Sequence, residues 1–488
     1  MLFRVDASET IGTGHIVRCL TLASELERRG IEPWFASRSA PGHATDQAGA
    51  SGHTVTRLGS PASAEAVTIR SQMPIEVRRK PFSVLVMDHY GLGAEWLNGA
   101  RQLATRRLVI DDLADRSLPC ELVVNANLGV VPADYEGLVE PETRLLLGTR
   151  YALLRPPFRA ARGTGRRTAG EVTNVLITMG GSDPSDATTI AVRAVRSALP
   201  SARIEVVLGT LYGGEPDGGP GIRFHRAIGG EAMAGLMVEA DLAIGAGGTT
   251  SWERCALGLP TIVVRIARNQ DAIAQRLHEA GAAVDAGATE QLDVATLSGL
   301  IRRLADDRST REAMGDRARN LVDGRGVDRV AHHIDGVRVR RASMADARLL
   351  WRWANDPDTR AASFASEQIP YPDHVRWLQE RLADRSCLLV VGWNAAGPLG
   401  QVRFDRRDGE AEVSVSVAPE HRGTVGGLLL ESAMRRFQRL FPQVMLVARV
   451  KNDNEPSRRL FVGAGFQLVG ESQGVLLYHA SALADTTP

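Results

Sequence analysis

The sequence predicts an α/β protein with two successive doubly wound, parallel-sheet domains and a third, mixed α+β domain. Three observations support this fold class. The chain has 488 residues, which exceeds the roughly 250–300 residues over which one hydrophobic core grows. Short apolar runs alternate with helical stretches in two consecutive segments, and a β-rich segment of different order follows them. We therefore expect domains at residues 1–157, 171–335 and 337–480.

The first domain starts with the apolar run Leu2–Asp6, which predicts a strand, and a helical stretch over about residues 15–29. Further apolar runs predict parallel strands at residues 33–36, 83–88, 107–111 and 122–125. The stretch Pro156–Gly170 is rich in arginine and in helix- and strand-breaking residues, so it predicts a linker.

The strand and helix pattern restarts after this linker and predicts a second parallel sheet. Its strands are expected at residues 174–179, 203–208, 241–245 and 260–265, with helices over about 187–198 and from about 251. The third domain is expected to begin with a strand near Val337. It continues with the alternating strand Glu412–Val417, a helix over about 427–440 and the strand Val444–Val450.

The composition is that of a well-packed globular protein, with 44% hydrophobic and 24% charged residues. Lys and Arg total 58 against 57 Asp and Glu, so the net charge of +1 offers no general attraction for nucleic acid or an anionic membrane. A small-molecule partner is therefore expected. The cysteines form no CxxC pair, the first residues do not resemble a signal peptide, and no apolar run has the length of a membrane span. These features predict a cytoplasmic location.

The first candidate site is the loop between the first strand and the first helix, which carries Gly12, Gly14 and His15. Ligands of open α/β sheets bind at the carboxyl ends of strands, and glycines let the backbone approach a ligand closely. A helix N terminus favours a neutral imidazole, so His15 could act as a general base toward water. Arg18 lies one helical turn later and could meet a phosphate or carboxylate. The alternative is an ordinary tight turn that His15 caps.

Polar clusters follow three other predicted strands of this domain. They are Asp88-His89-Tyr90, Asp111-Asp112 and Asn125-Ala126-Asn127. Any single Asp or Asn there could simply cap a helix. Because the carboxyl ends of parallel strands share one edge of a sheet, the joint position of these clusters favours a functional role.

Two glycine-rich loops open helices in the second domain and form the second candidate site. One contains Gly180, Gly181 and Ser182, and the other runs from Gly247 through Gly248 and Thr249 to Thr250. Backbone amides at such helix starts suit a pyrophosphate. Neither loop has the GxGxxG pattern or the P-loop pattern, so neither a nicotinamide dinucleotide nor an NTPase is supported.

Polar residues near these loops complete a candidate nucleoside-diphosphate site. Glu253 lies in the first turn after the second loop, and Asn269 and Gln270 follow the next strand. Glu253 could bind the two ribose hydroxyls. Alternatively, its carboxylate only compensates the helix dipole.

Several of these motifs, taken in order, resemble the UDP-sugar hydrolase family of pseudaminic acid biosynthesis over about residues 1–335. The resemblance is carried by Asp6, Gly12–Arg18, Asp88–Tyr90, Gly148–Pro156, Met179–Pro184 and Gly245–Arg254. It implies a GT-B-like pair of domains that removes UDP from UDP-2,4-diacetamido-2,4,6-trideoxy-β-L-altropyranose by attack of water at the anomeric carbon.

The resemblance implies that His15 is the catalytic base. A UDP-sugar already carries a good leaving group, and the sequence has no His, Cys and carboxylate cluster of metal-binding spacing, so we expect that no metal is required. It further implies a substrate-binding set formed by Asp6, Gly12, Gly14, Arg18, Asp88, Tyr90, Arg155, Gly180, Gly181, Ser182, Gly247, Gly248, Thr249, Thr250, Glu253, Asn269 and Gln270. Two alternatives remain open at this point. A GT-B glycosyltransferase would transfer the sugar to an acceptor, and a catalytically silent module would only bind the sugar nucleotide.

The third domain carries a further glycine turn between a strand and a helix, Arg422–Gly427, and the downstream motif Asn452–Phe466. Together they resemble the GNAT family of N-acetyltransferases over about residues 337–480. The resemblance implies an acetyl-CoA site formed by Val417, Arg422, Gly423, Gly426, Gly427, Asn454 and Ser457.

This domain departs from the GNAT pattern at two positions. Val425 stands where the turn usually has a glycine, and Phe461 replaces a tyrosine that often protonates the leaving thiolate. Glu412 and His374 are candidate bases toward the amine. An inactive domain retained for assembly is the alternative to an active one. The fusion favours activity, because the pathway acetylates the sugar 4-amino group immediately before hydrolysis, so one chain could perform both steps.

Overall fold

The structure is a computed structural model that describes residues 1–6, 13–38, 44–59, 61–73, 78, 80–162, 170–181, 183–209, 212–214, 216, 218–226 and 228–480. The chain divides into two compact units, of which the first ends at Val330 and the second begins at Ala331. The first unit contains two parallel sheets, and the second contains one mixed sheet.

The first sheet is fully parallel over its described strands. These strands are β1 (Leu2–Val5), β2 (Trp34–Arg38), β3 (Thr54–Leu58), β4 (Leu85–Asp88), β5 (Arg107–Ile110), β6 (Leu122–Asn125) and β7 (Arg144–Leu147). Helices of this part are α1 (Gly14–Arg28), α2 (Ala44–Ala50), α3 (Glu65–Gln72) and α4 (Ala94–Gly99). The strand order is β3-β2-β1-β4-β5-β6-β7, so the winding reverses between β1 and β4. A ligand crevice is expected at this switch point.

The second sheet is also parallel and has the order β10-β9-β8-β11-β12-β13. Its strands are β8 (Asn174–Thr178), β9 (Arg203–Leu208), β10 (Ile222–Arg226), β11 (Leu242–Ala246), β12 (Thr261–Arg265) and β13 (Val284–Ala288). Its helices are α5 (Pro156–Arg162), α6 (Ala187–Ala198), α7 (Gly230–Glu239), α8 (Thr250–Leu257), α9 (Asp271–Glu279), α10 (Val294–Asp306), α11 (Arg308–Leu321) and α12 (Gly326–Asp335). The switch point lies between β8 and β11.

Side chains of the second sheet alternate between two hydrophobic cores. Leu176 packs into one core, whereas its neighbours Val175 and Ile177 pack into the other. Successive side chains of a strand point to opposite faces, so a sheet that helices cover on both faces needs apolar residues at every position. This requirement explains the apolar run Val175–Ile177 in the centre of β8.

The mixed sheet has the order β14-β15-β16-β17-β18-β20-β19. Its strands are β14 (Arg338–Arg341), β15 (Cys387–Asn394), β16 (Gly397–Arg407), β17 (Glu410–Val417), β18 (Met445–Lys451), β19 (Gln467–Ser472) and β20 (Val475–Ala480). The helices are α13 (Ala347–Ala354), α14 (Pro357–Ala362), α15 (Tyr371–Ala383), α16 (Gly426–Leu440) and α17 (Glu455–Gly463). Among the described pairings of this sheet, only β17 and β18 run parallel.

The predicted pair of doubly wound sheets and the mixed sheet are confirmed, but the sequence missed four strands of the parallel sheets. These strands are β3, β7, β10 and β13, and each lies at an edge of its sheet. Edge strands are partly exposed, so their sequences lack the continuous apolar run that marks a central strand.

The prediction of a linker at Pro156–Gly170 was wrong over its first half. Residues 156–162 form α5, and Phe158 is fully buried in a hydrophobic core. The Arg162 guanidinium donates a hydrogen bond of 2.9 Å to the carbonyl of Ala256. Residues 163–169 lie outside the described residues. A helix with one buried aromatic ring carries too little periodicity to be recognised in an arginine-rich stretch.

A buried charge cluster ties the first strand to α3. The Glu65 carboxylate accepts hydrogen bonds from Arg4 Nε at 2.9 Å, Arg38 Nε at 2.7 Å and Trp96 Nε1 at 2.8 Å. Arg4 and Glu65 are both fully buried, so each charge depends on the other for compensation.

We predict that Glu65→Ala lowers the free energy of unfolding of the first unit by about 3–5 kcal/mol, since it leaves Arg4 charged and incompletely paired in the core. Differential scanning calorimetry of the full chain measures this change. Glu312→Ala removes the exposed partner of Arg308 and is the control, with an expected effect below about 1 kcal/mol. Equal effects of the two substitutions would contradict a structural role for the buried cluster.

Candidate functional site

The switch point of the first sheet holds a histidine and an aspartate in direct contact. His15 lies in the first turn of α1, and Asp88 is the last residue of β4. His15 Nδ1 is 2.5 Å from Asp88 Oδ1. A carboxylate only accepts hydrogen bonds, so Nδ1 carries the proton and donates it to Asp88. Nε2 of the neutral ring is therefore the atom that can accept a proton.

Arg18 compensates the charge of Asp88. Its Nε and Nη2 lie 2.6 Å and 2.7 Å from the two Asp88 oxygens, and its Nη1 lies 2.8 Å from Asp112 Oδ2. Burial would raise the pKa of Asp88, but the charge of Arg18 and the hydrogen bonds from Arg18 and His15 hold this pKa well below its usual range. The guanidinium of Arg18, predicted to meet a substrate anion, thus binds two carboxylates of its own domain.

Tyr90 packs on His15 and connects the two halves of the first unit, which are the parts built around the first and the second parallel sheet. The two rings meet edge to face with centroids 4.5 Å apart. The Tyr90 hydroxyl donates to Asp112 Oδ2 at 3.0 Å and accepts from Asn269 Nδ2 at 3.4 Å. Burial and the charge of Asp112 raise the pKa of Tyr90 well above its usual value, so the phenol remains neutral. Asn269 belongs to the second half, and its contact with Tyr90 closes one side of the crevice.

Asp6 lies at the end of β1, but its carboxylate is engaged by its own domain. It contacts Arg4 Nη1 at 2.6 Å, His89 Nε2 at 3.2 Å and the backbone amide of Arg38 at 2.8 Å. Burial would raise the pKa of Asp6, but the hydrogen bonds from His89 and Arg4 hold it well below its usual value. The Asp6 carboxylate therefore binds groups of its own domain and holds the strand ends together.

The two switch points face each other across the first unit. A Cβ atom placed on Gly14 would lie 3.3 Å from Thr249 Oγ1, and one on Gly181 would lie 3.2 Å from Thr13 Oγ1. Thr13 and Thr249 are the N-cap residues of α1 and α8, and within the described residues neither helix has a side-chain cap. Two helix N termini with positive partial charge therefore converge at one place. Gly12 lies outside the described residues.

The glycine loop at Gly180 and Gly181 leads to a helix, α6, whose N terminus is capped by a side chain. Gly180 has a φ of +88°, which favours glycine. The Asp183 carboxylate accepts hydrogen bonds from the amides of Ala187 and Thr188, at 2.9 Å and 2.8 Å, and so caps α6. This helix terminus is therefore already satisfied, and the loop can offer only its own amides to a ligand. Ser182 lies outside the described residues.

The side chain of Gln270 holds the second glycine loop, Gly247–Thr250, through hydrogen bonds. The Gln270 side-chain oxygen accepts from the amides of Gly247 at 3.1 Å and Ile266 at 3.2 Å. Gln270 is buried, so it supports the loop. This loop leads directly into α8, whose first residue is Thr250.

Glu253 is buried and paired with Arg155. The Glu253 Oε1 atom accepts from Arg155 Nε at 3.0 Å and from Nη2 at 2.8 Å. Burial raises the pKa of Glu253, although Arg155 acts in the opposite direction. The pair brings together two residues that the sequence placed in the substrate-binding set and that lie almost a hundred positions apart.

Three contributors to this site lie outside the predicted substrate-binding set, namely Asp112, Thr13 and Asp183. Asp112 was noted only as part of a strand-end cluster, and its contacts with Arg18 and Tyr90 depend on the packing of neighbouring strands. The sequence motif around Asp183 was recognised, but the capping of α6 by its carboxylate becomes visible only in the folded loop. Thr13 carries no signal except its position before a helix.

The second unit has an open V between two strands of its sheet. In the described residues, β17 pairs with β18 only from Glu410 to Glu412, opposite Met445–Val447. Beyond this point β17 continues to Val417 along β16, whereas β18 continues to Lys451 along β20. The strands therefore separate, and their backbone groups inside the V can bind an extended ligand.

The predicted coenzyme turn lies at the wide end of this V. Gly423 has a φ of +75°, which requires glycine, and a Cβ atom on Gly426 would lie 3.4 Å from the Val417 side chain. A Cβ atom on Gly427 would meet nothing within 4 Å. Val425 has a φ of −123° and is fully buried, so this position does not need glycine and its side chain does not fill the turn.

Arg422 contacts α14 at several atoms. Its guanidinium pairs with Asp356, lies 2.8 Å from Asp358 Oδ2 and donates to Thr359 Oγ1 at 2.8 Å. Lys451, at the end of β18, donates to the carbonyl of Ala361 at 3.2 Å. The short helix α14 is thus attached to both arms of the V.

The remaining predicted residues of the second unit have structural contacts. The Asn454 side-chain oxygen caps α17 by accepting from the amide of Ser457 at 3.1 Å. Phe461 is buried against Phe466, with centroids 5.0 Å apart. His374 is buried beside Trp377, and burial lowers its pKa. Glu412 is half exposed at the apex of the V, where the strands begin to separate.

Searches for two other features gave no candidates within the described part of the chain. No group of three or more His, Cys, Asp or Glu side chains has a geometry suited to a metal ion. Among the described helices, none combines the length and the apolar character needed to cross a membrane.

One solved structure aligns with most of the chain, although at low similarity. MurG of Acinetobacter baumannii is 16% identical and aligns with 68% of this chain and 98% of its own, with a TM-score of 0.47.

Two relatives match parts of the chain at 26% identity. The spore coat polysaccharide biosynthesis protein SpsG of Bacillus subtilis matches over 336 residues, which are 67% of this chain and 94% of that protein. UDP-2,4-diacetamido-2,4,6-trideoxy-beta-L-altropyranose hydrolase of Campylobacter jejuni matches over 204 residues, which are 42% of this chain and 67% of that protein.

Two family descriptions match separate parts of the chain. Residues 221–330 match the glycosyltransferase family 28 C-terminal domain, and residues 337–467 match the acetyltransferase (GNAT) domain. With the observed sheet topologies, these matches confirm the predicted fold class, a GT-B-like pair of domains followed by a GNAT domain. The chain is therefore a fusion of a region homologous to the altropyranose hydrolase with a C-terminal GNAT domain.

Proposed function

We propose that the first unit hydrolyses a UDP-linked 2,4-diacetamido-2,4,6-trideoxy sugar to the free sugar and UDP, within pseudaminic acid biosynthesis. We further propose that the second unit acetylates the 4-amino group of the sugar nucleotide with acetyl-CoA. The distant homology and the GNAT match support sugar-nucleotide processing with acetyl transfer. The convergence of the His15–Asp88 pair with two helix N termini is the observation that carries the finer proposal.

The diphosphate of the nucleotide binds between the N termini of α1 and α8. Backbone amides of Gly14, Gly181, Gly248 and Thr249 supply hydrogen bonds, and the two helix dipoles favour the negative charge. This arrangement needs no general positive field, which agrees with the net charge of +1. Glu253, oriented by Arg155, binds the ribose hydroxyls through its second carboxylate oxygen.

The remaining members of the substrate set act around this core. Tyr90 and Asn269 close the crevice beside the sugar, and Arg18 and Asp88 fix the catalytic histidine. Support of the loops and strand ends comes from Asp6, Gly180, Gly247, Thr250 and Gln270.

The proposed hydrolysis uses this geometry. Nε2 of His15 accepts a proton from water, and the water oxygen attacks the anomeric carbon. The bond between this carbon and the β-phosphate oxygen breaks, and UDP leaves with the electron pair. The proton acquired by His15 is balanced by Asp88, which already accepts from Nδ1. The helix N termini stabilise the charge that develops on the departing diphosphate.

We predict that His15→Ala lowers the rate of UDP release by about 10²–10⁴-fold, because the general base is lost. The dissociation constant for UDP is expected to change by less than about threefold, since the side chain binds no phosphate in the proposed mode. The assay follows UDP release from the UDP-diacetamido sugar, with calorimetry for UDP binding. His225→Ala, a half-buried histidine on the edge strand β10, is the control and should retain full activity. Unchanged hydrolysis by His15→Ala would exclude the proposed base.

We predict that hydrolysis in oxygen-18 water leaves no label in the released UDP, because water attacks carbon and the original oxygen stays on phosphorus. Mass spectrometry of UDP measures this outcome, and labelled UDP would show attack at phosphorus instead. Sugar transfer that depends on an added acceptor would identify a GT-B glycosyltransferase. Tight UDP binding without any turnover would identify a nucleotide-binding module.

The V of the second unit supports the proposed use of acetyl-CoA. The pyrophosphate of the coenzyme binds at the turn Arg422–Gly427, where Gly423 and Gly426 allow close approach at the start of α16. The pantetheine arm extends along β17 from Val417 toward the apex, and its amides bind the open strand edge. Arg422 positions α14 through its aspartate contacts instead of binding phosphate, and Asn454 and Ser457 fix the start of α17.

Acetyl transfer needs a base for the sugar amine, and Glu412 suits this role. Its carboxylate lies at the apex of the V, whereas His374 is buried between other side chains. Glu412 takes a proton from the amine, directly or through water, as the nitrogen attacks the thioester carbon. The bond to sulfur breaks, and water protonates the leaving thiolate because Phe461 has no exchangeable proton.

We predict that Glu412→Gln lowers acetylation of the 4-amino sugar nucleotide by about 10²-fold, since the amine is no longer deprotonated. The dissociation constant for acetyl-CoA should remain unchanged. Release of CoA thiol measures the rate, and Glu410→Gln, two positions earlier on the same strand, is the matched control. Equal rates in the two variants would exclude Glu412 as the base. No CoA release by the wild-type chain would support the inactive-domain alternative.

A further inference from the structure

The side chain of Arg254 lies at the switch point of the second sheet, between β8 and β11. It lies in α8, and its side chain extends back to the ends of β8 and β11. A Cβ atom on Gly245 would lie 2.3 Å from Arg254 Nη1 and 2.8 Å from the carbonyl oxygen of Thr178. Gly245 and Thr178 are register partners on β11 and β8. The guanidinium thus lies beneath the two glycine loops that follow these strands.

The guanidinium holds the second glycine loop but has incomplete contacts of its own. Nη2 donates to the carbonyl of Ala246 at 2.7 Å and to Ser251 Oγ at 3.0 Å. Nε and Nη1 have no hydrogen-bond partner among the described residues, and the side chain is 1% exposed. None of the ion pairs between described residues involves Arg254. Glu253, its neighbour in sequence, pairs with Arg155.

An unpaired cation in this position is costly for the folded chain. Burial lowers the pKa of Arg254 to about 10, although Glu253 and Cys255 act in the opposite direction. Buried charges are normally paired, and one that is not destabilises the fold unless a ligand compensates it. The charge lies directly below the Gly247–Thr250 loop, where an anion would supply this compensation. Attraction is strong here because little water lies between buried groups.

We propose that Arg254 is a positioning residue whose buried, unpaired charge selects a nucleoside diphosphate over the uncharged nucleoside. This inference rests on the proposed UDP site, but it concerns a residue to which the hydrolysis mechanism gives no role. The guanidinium acts in two ways. It fixes the loop through Ala246 and Ser251, and it adds a positive charge to the field of the α1 and α8 N termini.

The test compares dissociation constants for UDP, UMP and uridine, measured by calorimetry on the full chain. Arg254→Met and Arg254→Gln remove the charge, and Gln retains an amide that can donate to Ala246. Arg254→Lys retains the charge, and Ser251→Ala removes a loop contact without changing it. We expect both neutral variants to lose at least about tenfold in the preference for UDP over uridine, with unchanged uridine affinity. Arg254→Lys and Ser251→Ala should retain the preference within about threefold.

A purely structural role would weaken UDP and uridine binding equally, which would overturn the inference. The inference would also be overturned if both neutral variants retained the preference for UDP. Loss of the circular dichroism spectrum in both neutral variants would overturn it too, because the fold itself would then require the charge. A wild-type chain that binds uridine as tightly as UDP would instead contradict the proposed function, so the two failures are distinguishable.

Discussion

The close approach of α1 and α8 is the constraint on which the first unit depends. Each helix starts at the switch point of its own parallel sheet, and the approach of Gly14 to Thr249 brings the two starts together. A Cβ atom at residue 14 would make a tight contact of 3.3 Å with Thr249 Oγ1, so glycine favours this close approach. Both helix dipoles then point their positive ends at one crevice. Neither sheet alone brings two helix N termini together.

The chemistry of the crevice is built on a few compensated charges. Asp88 accepts from His15 and Arg18 at the same time, so it fixes the imidazole tautomer. Arg18 also reaches Asp112, which in turn accepts from Tyr90. Arg254 differs from these groups because its charge is not balanced within the described residues. The first half therefore contains two carboxylates that share one guanidinium, and the second half contains a buried cation without an ion-pair partner among the described residues.

In the second unit, the candidate binding site lies in an opening of the mixed sheet. Its sheet opens where β17 and β18 stop pairing, and the exposed backbone offers hydrogen bonds to an extended ligand. The helix α14 is attached to both arms of this V through Arg422 and Lys451. In both units a glycine turn stands at the start of a helix, where the proposed functions place an anion.

The sequence determined the central strands, the glycine turns and the identities of the chemical groups, since continuous apolar runs and turn residues act locally. It did not reveal β3, β7, β10 and β13, because edge strands are only half buried. It named His15, Asp88 and Glu253 but assigned Arg18 to a substrate anion, because its partners Asp88 and Asp112 lie 70 and 94 positions away along the chain. Only the tertiary structure decided which carboxylate meets which cation, since contacts between distant residues depend on how the sheets and helices pack.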